Sequence, residues 1–483
     1  MRRALVPVLL AATTLVGAAL RAHQLGLRFL WLDEGILYWI AQGSLADVLH
    51  QNAASNSAPP LFPILINLVS RWFVSETALR ALPWAAGTLA VPAMYFLGRQ
   101  FLSPSGALMG SLLMATAPIQ VEYSQEMREY SLGVLLVVLL VAGFLHFVAR
   151  PTWRRAALLT AVAAVALFSQ YGLALFVLAL NGGMTIHLLR MQGSRKEVLV
   201  KWIVVQCVLL VVAGAVVQLS LRGQWQTGGF YGDEGQYLAK GYWTGGGLLS
   251  ALSFAFRGSR SLVEYAYPGL AFAWMFYTGA LAIVILRRST LLPFIIVFPF
   301  GAMIAAALLR LYPYLAARQD LVLTPLIYLV AATGLDYVIS ADRKLILLAV
   351  VLVTLVRTGA SALVGYYASG EKDGLATVLR PLISLAEPGE PIYVCSARDP
   401  VISYYFDVRY PQHRLVERDP GFGPRDYLNQ VDRLVEQNQR TWLLLDVRCG
   451  EVGTFLGYLR SRWEVDPIEE RPDIQLVSIR GPT

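Results

Sequence analysis

Long apolar runs separated by short, often basic, breaks fill the first three quarters of the chain. They fall at about 4–20, 80–98, 106–120, 131–149, 155–169, 172–189, 201–219, 268–286, 290–309, 321–339 and 343–365. A helix needs about 20 apolar residues to cross the hydrocarbon core of a bilayer. The pattern therefore predicts about eleven transmembrane helices, with only Ser169, Gln170 and Tyr171 to turn between the fifth and sixth. Beyond residue 365 the pattern changes. LATVLRPLISLAE, PRDYLNQVDRLVEQN and FLGYLRSRW have helical spacing, while PIYVCS, TWLLLDV and DIQLVSIR read as strands. Strand and helix in alternation predict a small α/β layer. The expected organisation is a multi-span domain over 1–365, with a long loop at 21–79, and a polar domain over 366–483.

Charge gives the spans an expected sidedness. Basic residues mark cytoplasmic loops. With Arg2 and Arg3 inside, alternate loops collect Arg99, then Arg150, Arg154 and Arg155, then Arg190, Arg195, Lys196 and Lys201, then Arg287 and Arg288, then Arg343 and Lys344. Residues 21–79, 121–130, 220–267 and 310–320 and the C-terminal domain then lie outside the cytoplasm, as expected of a cell (inner) membrane protein. The run from Pro60 to Phe73 is short and interrupted by Asn67, Ser70 and Arg71. Counting it as a span would put the later basic loops outside. It is expected to lie on the membrane surface, as is the stretch from Ile36 to Gln51.

Composition agrees. Of 483 residues, 56% are hydrophobic and 15% charged, where a soluble globular protein carries about 25% charge. The net charge of +8 sits largely in the short loops, so it speaks for topology and contact with membrane lipids, not for nucleic acid. The basic, apolar N-terminus resembles a signal peptide, but an uncleaved first span is the preferred reading. Cys207, Cys395 and Cys449 have no zinc-ligand spacing. Cys395 and Cys449 both follow strands, and a bond between them is one option in an oxidising compartment.

The candidate chemistry sits in the outer segments. Asp33 and Glu34 are framed by Trp31, Leu32, Ile36 and Trp39 just after the first span. One of them, Asp33, would also serve as a helix N-cap. Glu122, Glu126, Arg128, Glu129 and Tyr130 crowd a second membrane edge, where acids also suit a helix start. Two acidic clusters on one face suit a carboxylate base for an incoming hydroxyl, with a second carboxylate for a divalent metal or the acceptor. Arg310 and Arg318 lie beside Tyr312 and Tyr314 at the mouth of a later span. They read as interfacial anchors or as a guanidinium fork for a lipid phosphate. The loop 220–267, rich in Gly and aromatics, reads equally as a flap over a sugar or as a connector.

In chain order, LWLDEG, a surface helix headed by PPL, SETALRALPWAAG, FLGRQFL and APIQVEYSQEMREYSL resemble the GT-C glycosyltransferases. Within them the chain is most similar to bacterial relatives of the protein O-mannosyltransferases and to the lipid A aminoarabinose transferase. The resemblance covers 5–150 well, and 268–340 loosely through ARQDLVLTPLIYLVAATGL. It implies a GT-C-like bundle, a polyprenyl-phosphate sugar donor and an active site on the extracytoplasmic face. It further implies Asp33 as the catalytic carboxylate with Glu34 beside it, and Glu126 in preference to Glu129 as the second acid. Arg318 would stand near the carrier phosphate, with Arg128, Glu129, Tyr130 and Tyr314 as substrate contacts. Asp33 and Glu126 would be the ligands of a divalent metal ion, which some relatives bind. The sequence departs from the family at Gln319, where a Tyr follows the Arg, and at Ala58, where many relatives carry a His before the two prolines.

The reaction so implied is an inverting transfer of a hexosyl or pentosyl group to a lipid, glycan or protein acceptor, with Asp33 as general base. The competing classes are a transporter or flippase of a lipid-linked sugar and a membrane-anchored binding module. No inverted repeat appears in the hydropathy, and few charges fall inside spans (Arg357 is the main one), which weighs against transport. Eleven spans are excessive for an anchor.

Overall fold

The computed structural model describes residues 5–191, 193, 195–227, 238–286, 291–339, 345–372, 374–394, 399–417, 424–446, 452–471 and 474–480. Arg2, Arg3, Arg287, Arg288, Arg343, Lys344, Cys395, Cys449 and the central part of the 220–267 loop lie outside the described residues.

A helix stands at each of the eleven apolar runs. Among the described residues, seven helical segments are long and apolar enough to cross a membrane: Leu5–Ala22, Ala81–Gly98, Tyr130–Ala149, Gly172–Arg190, Arg195–Gln226, Arg318–Tyr337 and Ala349–Ala368. Pro104–Thr116, Trp153–Ser169, Leu270–Leu286 and Leu292–Leu308 are helices of 13 to 17 residues. The break at Gln170 is a single extended residue, φ −157° and ψ 133°, which is enough to reverse the chain.

The chain forms two compact units. Residues 1–25, 42–68 and 80–368 make up the first, and residues 26–41, 69–79 and 369–483 the second. In the first, the helix Leu61–Ser70 has only 10 residues. At 1.5 Å per residue it is too short to span the core, as its interruptions suggested. The stretch from Ile36 to Gln51 is two helices, Leu32–Ile40 and Leu45–Ser55. Gly43 takes φ +88°, and Ser44 and Asp47 form a reciprocal capping box, the Ser44 amide donating to Asp47 Oδ2 at 2.8 Å. The described end of the 220–267 loop contains a 20-residue helix, Gly247–Ala266. Its later half is buried at Leu262, Val263 and Ala266, while Leu248, Leu249, Leu252 and Phe256 are exposed.

Among the described residues, the second unit holds a five-stranded sheet: β1 Pro391–Val394, β2 Arg414–Glu417, β3 Arg440–Asp446, β4 Glu464–Glu470 and β5 Ile474–Arg480. Their order is β2-β1-β3-β5-β4, parallel at β2-β1-β3 and antiparallel at β3-β5-β4. The three strands read from the sequence are the inner ones. The two edges escape a pattern search for a physical reason. β2 has only four residues, and β4 carries four acids, a proline and a register shift between Pro467 and Glu469. Charge, proline and irregularity are how an edge avoids pairing with another chain.

One buried cation fixes the front of the first unit. Arg21, at the end of the Leu5–Ala22 helix, has no solvent exposure. Its guanidinium donates to the carbonyls of Gly17 (3.0 Å), Ala115 (2.9 Å) and Met114 (2.8 Å) and to Ser124 Oγ (3.1 Å). Two of those carbonyls end the Pro104–Thr116 helix, so the charge lies where the helix dipole is negative. Gly87 makes room for it, since a Cβ there would stand 2.0 Å from Ser124 Oγ and 2.9 Å from Arg21 Nε. Arg21→Met keeps most of the volume but leaves these acceptors unfilled. It is expected to lower stability by about 2–4 kcal/mol, read as a lower Tm in detergent. An unchanged Tm would show that the acceptors do not depend on the cation.

Candidate functional site

The turn between the helices Pro118–Tyr123 and Tyr130–Ala149 carries most of the second acidic cluster. It is unusual in being almost wholly buried: Ser124, Gln125, Glu126, Arg128, Glu129 and Tyr130 are each at most 6% exposed. Most buried polar groups in proteins are hydrogen-bonded, and Gln125 shows how this is done. Its amide donates to the carbonyls of Arg21 (2.9 Å) and His23 (2.6 Å), and its oxygen accepts the Tyr366 hydroxyl at 2.8 Å. Ser124 Oγ contacts Ser131 Oγ at 3.1 Å and donates to the Gln120 carbonyl. Gln120 in turn donates to Thr324 at 2.7 Å. The turn is thus pinned to the first span, to the last span and to the helix that follows Arg318.

On this support Tyr130 forms a platform for two cations. The Arg128 and Arg318 guanidinium carbons each lie 5.8 Å from the centre of its ring, within cation–π reach. Arg128 Nε is 3.3 Å from Glu129 Oε2, and both side chains are largely buried. Tyr123 packs edge-on to Tyr130 with centroids 5.3 Å apart, and its hydroxyl accepts from that of Tyr265 at 3.0 Å. Burial pushes both the Tyr123 and Tyr265 phenols above their ordinary value, and the charges of Glu122 and Glu126 push in the same direction. Both tyrosines are therefore neutral donors beside the acids at ordinary pH.

Arg318 is aimed by its own loop. Asp320 is buried, and its Oδ2 accepts the amides of Leu315 (2.9 Å) and Ala316 (3.1 Å). These bonds hold Ala316 at φ +57°, a left-handed conformation that is costly for a residue with a Cβ. The Tyr312 hydroxyl donates to the Gln319 carbonyl at 3.2 Å. Tyr314, expected from the sequence to meet substrate, is only 1% exposed and shares a 2.8 Å hydrogen bond with Ser259. Its ring lies over Gly258, where a Cβ would come within 2.7 Å. In this structure Tyr314 is the seat of the Gly247–Ala266 helix.

Asp33 and Glu34 belong to the second unit, in the first turn of the helix Leu32–Ile40. The N-cap is Trp31, not Asp33. Glu34, at the third helical position and fully buried, reaches back to the Trp31 amide at 3.4 Å. Capping therefore falls to Glu34, and the Asp33 side chain is left partly exposed.

Among the described residues, no group of three or more His, Cys, Asp or Glu side chains could hold a metal ion. The described acids of the first unit do not by themselves make such a site. The sequence pattern does not single out Arg21, Gln125, Tyr265 or Asp320. The first three act on partners far away in the chain, and Asp320 acts on two amides in its own irregular loop, so neither spacing nor composition announces them.

Residues 57–220 match the family model described as Dolichyl-phosphate-mannose-protein mannosyltransferase. That segment includes the 122–130 cluster and excludes both Asp33 and Arg318. No curated protein matches the chain by sequence. Among solved structures, ArnT from Cupriavidus metallidurans bound to undecaprenyl phosphate is similar over 100% of both chains, at 14% identity and a TM-score of 0.58. The Archaeoglobus fulgidus oligosaccharyltransferase in complex with Zn and sulfate is similar over 96% of this chain and 72% of that one, at 15% identity and a TM-score of 0.52. AglB from Archaeoglobus fulgidus, in complex with an inhibitory peptide and a dolichol-phosphate, gives 92% and 69%, 12% identity and a TM-score of 0.50. The expected resemblance to the GT-C superfamily is borne out, and the chain is a multi-pass membrane protein with that fold.

If Asp320 holds the turn before Arg318, Asp320→Ala releases two amides at once. Hydrogen exchange in peptides spanning 312–320 is expected to rise at least about tenfold, corresponding to roughly 1.4 kcal/mol for the two bonds. Exchange equal to that of the wild type would mean that the turn is held by other contacts.

Proposed function

We propose that this protein transfers a sugar from a polyprenyl-phosphate donor to an acceptor on the extracytoplasmic side of the membrane, with inversion at the anomeric carbon. The observation that carries this reading is the pair of guanidiniums, Arg128 and Arg318, set over one buried tyrosine ring. Planar guanidinium donors suit the oxygens of a phosphate, and the site's rigidity comes from the buried network beneath it. Two structures with this fold contain the matching chemistry, one bound to undecaprenyl phosphate and one to a dolichol-phosphate. The basic loops support an N-terminus in the cytoplasm and a C-terminal domain outside it.

In this reading Asp33 takes the proton of an acceptor hydroxyl or amine as its oxygen or nitrogen attacks the anomeric carbon. The bond from that carbon to the phosphate oxygen breaks on the opposite face, and the carrier leaves as polyprenyl phosphate with one further negative charge. Arg318, with Arg128, offsets that charge. The leaving phosphate needs no proton, so no acid catalyst is required. Glu126, beside the Tyr123 and Tyr265 phenols, orients the acceptor, and Glu129 keeps Arg128 in place. The sugar is a hexose or a pentose, and the acceptor a lipid, a glycan or a protein. A divalent ion, as in the oligosaccharyltransferase complex with Zn, would need ligands beyond the first unit's acids.

Purified protein given a panel of undecaprenyl-phosphate hexoses and pentoses should release undecaprenyl phosphate. Asp33→Asn should slow release by about 10³-fold, in line with the loss of a general base, while leaving the Tm unchanged. Arg318→Met should raise KM for the donor at least about tenfold through loss of a charged phosphate contact. No release from any donor, or undiminished turnover by Asp33→Asn, would remove the transfer reading. Donor crossing vesicle membranes with its glycosidic bond intact would favour a flippase.

A further inference from the structure

A nine-residue helix has little stability of its own, so contacts elsewhere must fix the direction in which Asp33 points. Those contacts converge on one short segment of the C-terminal domain. The Leu30 amide donates to the Tyr405 hydroxyl at 2.8 Å, and the Trp39 indole nitrogen donates to the Pro400 carbonyl at 2.9 Å. The rings of Phe29 and Tyr405 are 4.5 Å apart, and those of Tyr38 and Tyr404 are 4.8 Å apart. Between them Gly35 lies directly against Val401. A Cβ at Gly35 would fall 2.8 Å from Val401 Cγ2, 3.1 Å from its amide nitrogen and 3.2 Å from the Pro400 carbonyl carbon.

The segment is itself tied down by hydrogen bonds and an ion pair. Asp399 is buried and accepts the amides of Val401 (2.9 Å) and Ile402 (3.4 Å). The Tyr404 hydroxyl donates to the Val74 carbonyl, and Arg409 pairs with Glu76 at 3.3 Å. Asp33 is therefore bracketed: the chain is held three residues before it by Tyr405 and two residues after it by Val401, and none of these contacts uses the Asp33 carboxylate.

We infer that residues 399–405 of the C-terminal domain are a positioning element that sets the Asp33 carboxylate for proton abstraction, with Tyr405 and the Gly35–Val401 contact as its two fixed points. This rests on the role proposed for Asp33. It gives the C-terminal domain a part in catalysis, because displacing a reacting group by about 1 Å costs about 10²-fold in rate. A helix that is merely held in the fold would show no such dependence.

The test uses the full-length protein and the undecaprenyl-phosphate sugar of the panel that the wild type turns over fastest. Gly35→Ala should lower kcat about 30-fold or more, with KM for the donor within about threefold, because the donor phosphate contacts lie elsewhere. Adding Val401→Ala to Gly35→Ala removes the nearest clashing atom and should recover at least about tenfold in kcat. Tyr405→Phe, which deletes only a hydroxyl, should lower kcat by about threefold to tenfold and raise hydrogen exchange in the peptide covering 28–40. If Gly35→Ala and Tyr405→Phe both keep wild-type kcat while Asp33→Asn is inactive, the positioning role is wrong and the transfer reading stands. Loss of kcat in Gly35→Ala that Val401→Ala fails to relieve also counts against it. Turnover by Asp33→Asn would end both.

Discussion

A guanidinium removed from water needs hydrogen-bond acceptors around it, and Arg21 finds four of them by joining three parts of the first unit. It closes the C-terminal end of the Pro104–Thr116 helix, returns to its own helix at Gly17, and reaches Ser124 at the start of the buried turn. In a low-dielectric surrounding such bonds are strong and their absence is costly. Arg21 bonds Ser124 at the start of the polar turn that follows, and Gln125 ties that turn to the carbonyls of Arg21 and His23 and to Tyr366. Everything proposed for Arg128, Glu129 and Tyr130 stands on a backbone held in this way.

The site elements share a design in which buried groups of no direct chemistry orient exposed or half-exposed ones. Asp320 spends its Oδ2 on two amides and thereby shapes the loop of Arg318. Glu34 caps a helix and frees its neighbour Asp33 from that task. Tyr314 gives its hydroxyl to Ser259 and its ring to Gly258, seating the Gly247–Ala266 helix. In each pair the residue with the more obvious chemistry depends on a quieter one.

The second unit is assembled from three separate stretches of the chain. Its sheet is built on inner strands with continuous apolar burial and closed by edges that carry charge and proline. Residues 26–41, although they follow the first span directly in sequence, pack with this unit through Tyr404, Tyr405 and Pro400. A boundary drawn at residue 365 by composition alone separates segments that fold together, since composition records polarity and not partners.

Periodicity and length are local properties, and the chain carries them openly. The eleven helical runs, the break at Gln170, the short helix at Leu61–Ser70 and the three inner strands all follow from the spacing of apolar residues and the thickness of a bilayer. The acidic clusters and the family likeness were also legible, because they lie in continuous motifs. Tertiary structure alone decided that Arg128 and Arg318 meet over Tyr130. It alone turned part of a glycine-rich loop into a 20-residue helix, buried Arg21 and added the two edge strands. These outcomes depend on contacts between residues far apart in the chain, where the energy of burying a charge or filling a gap beside a glycine is set by the partner and not by the sequence around it.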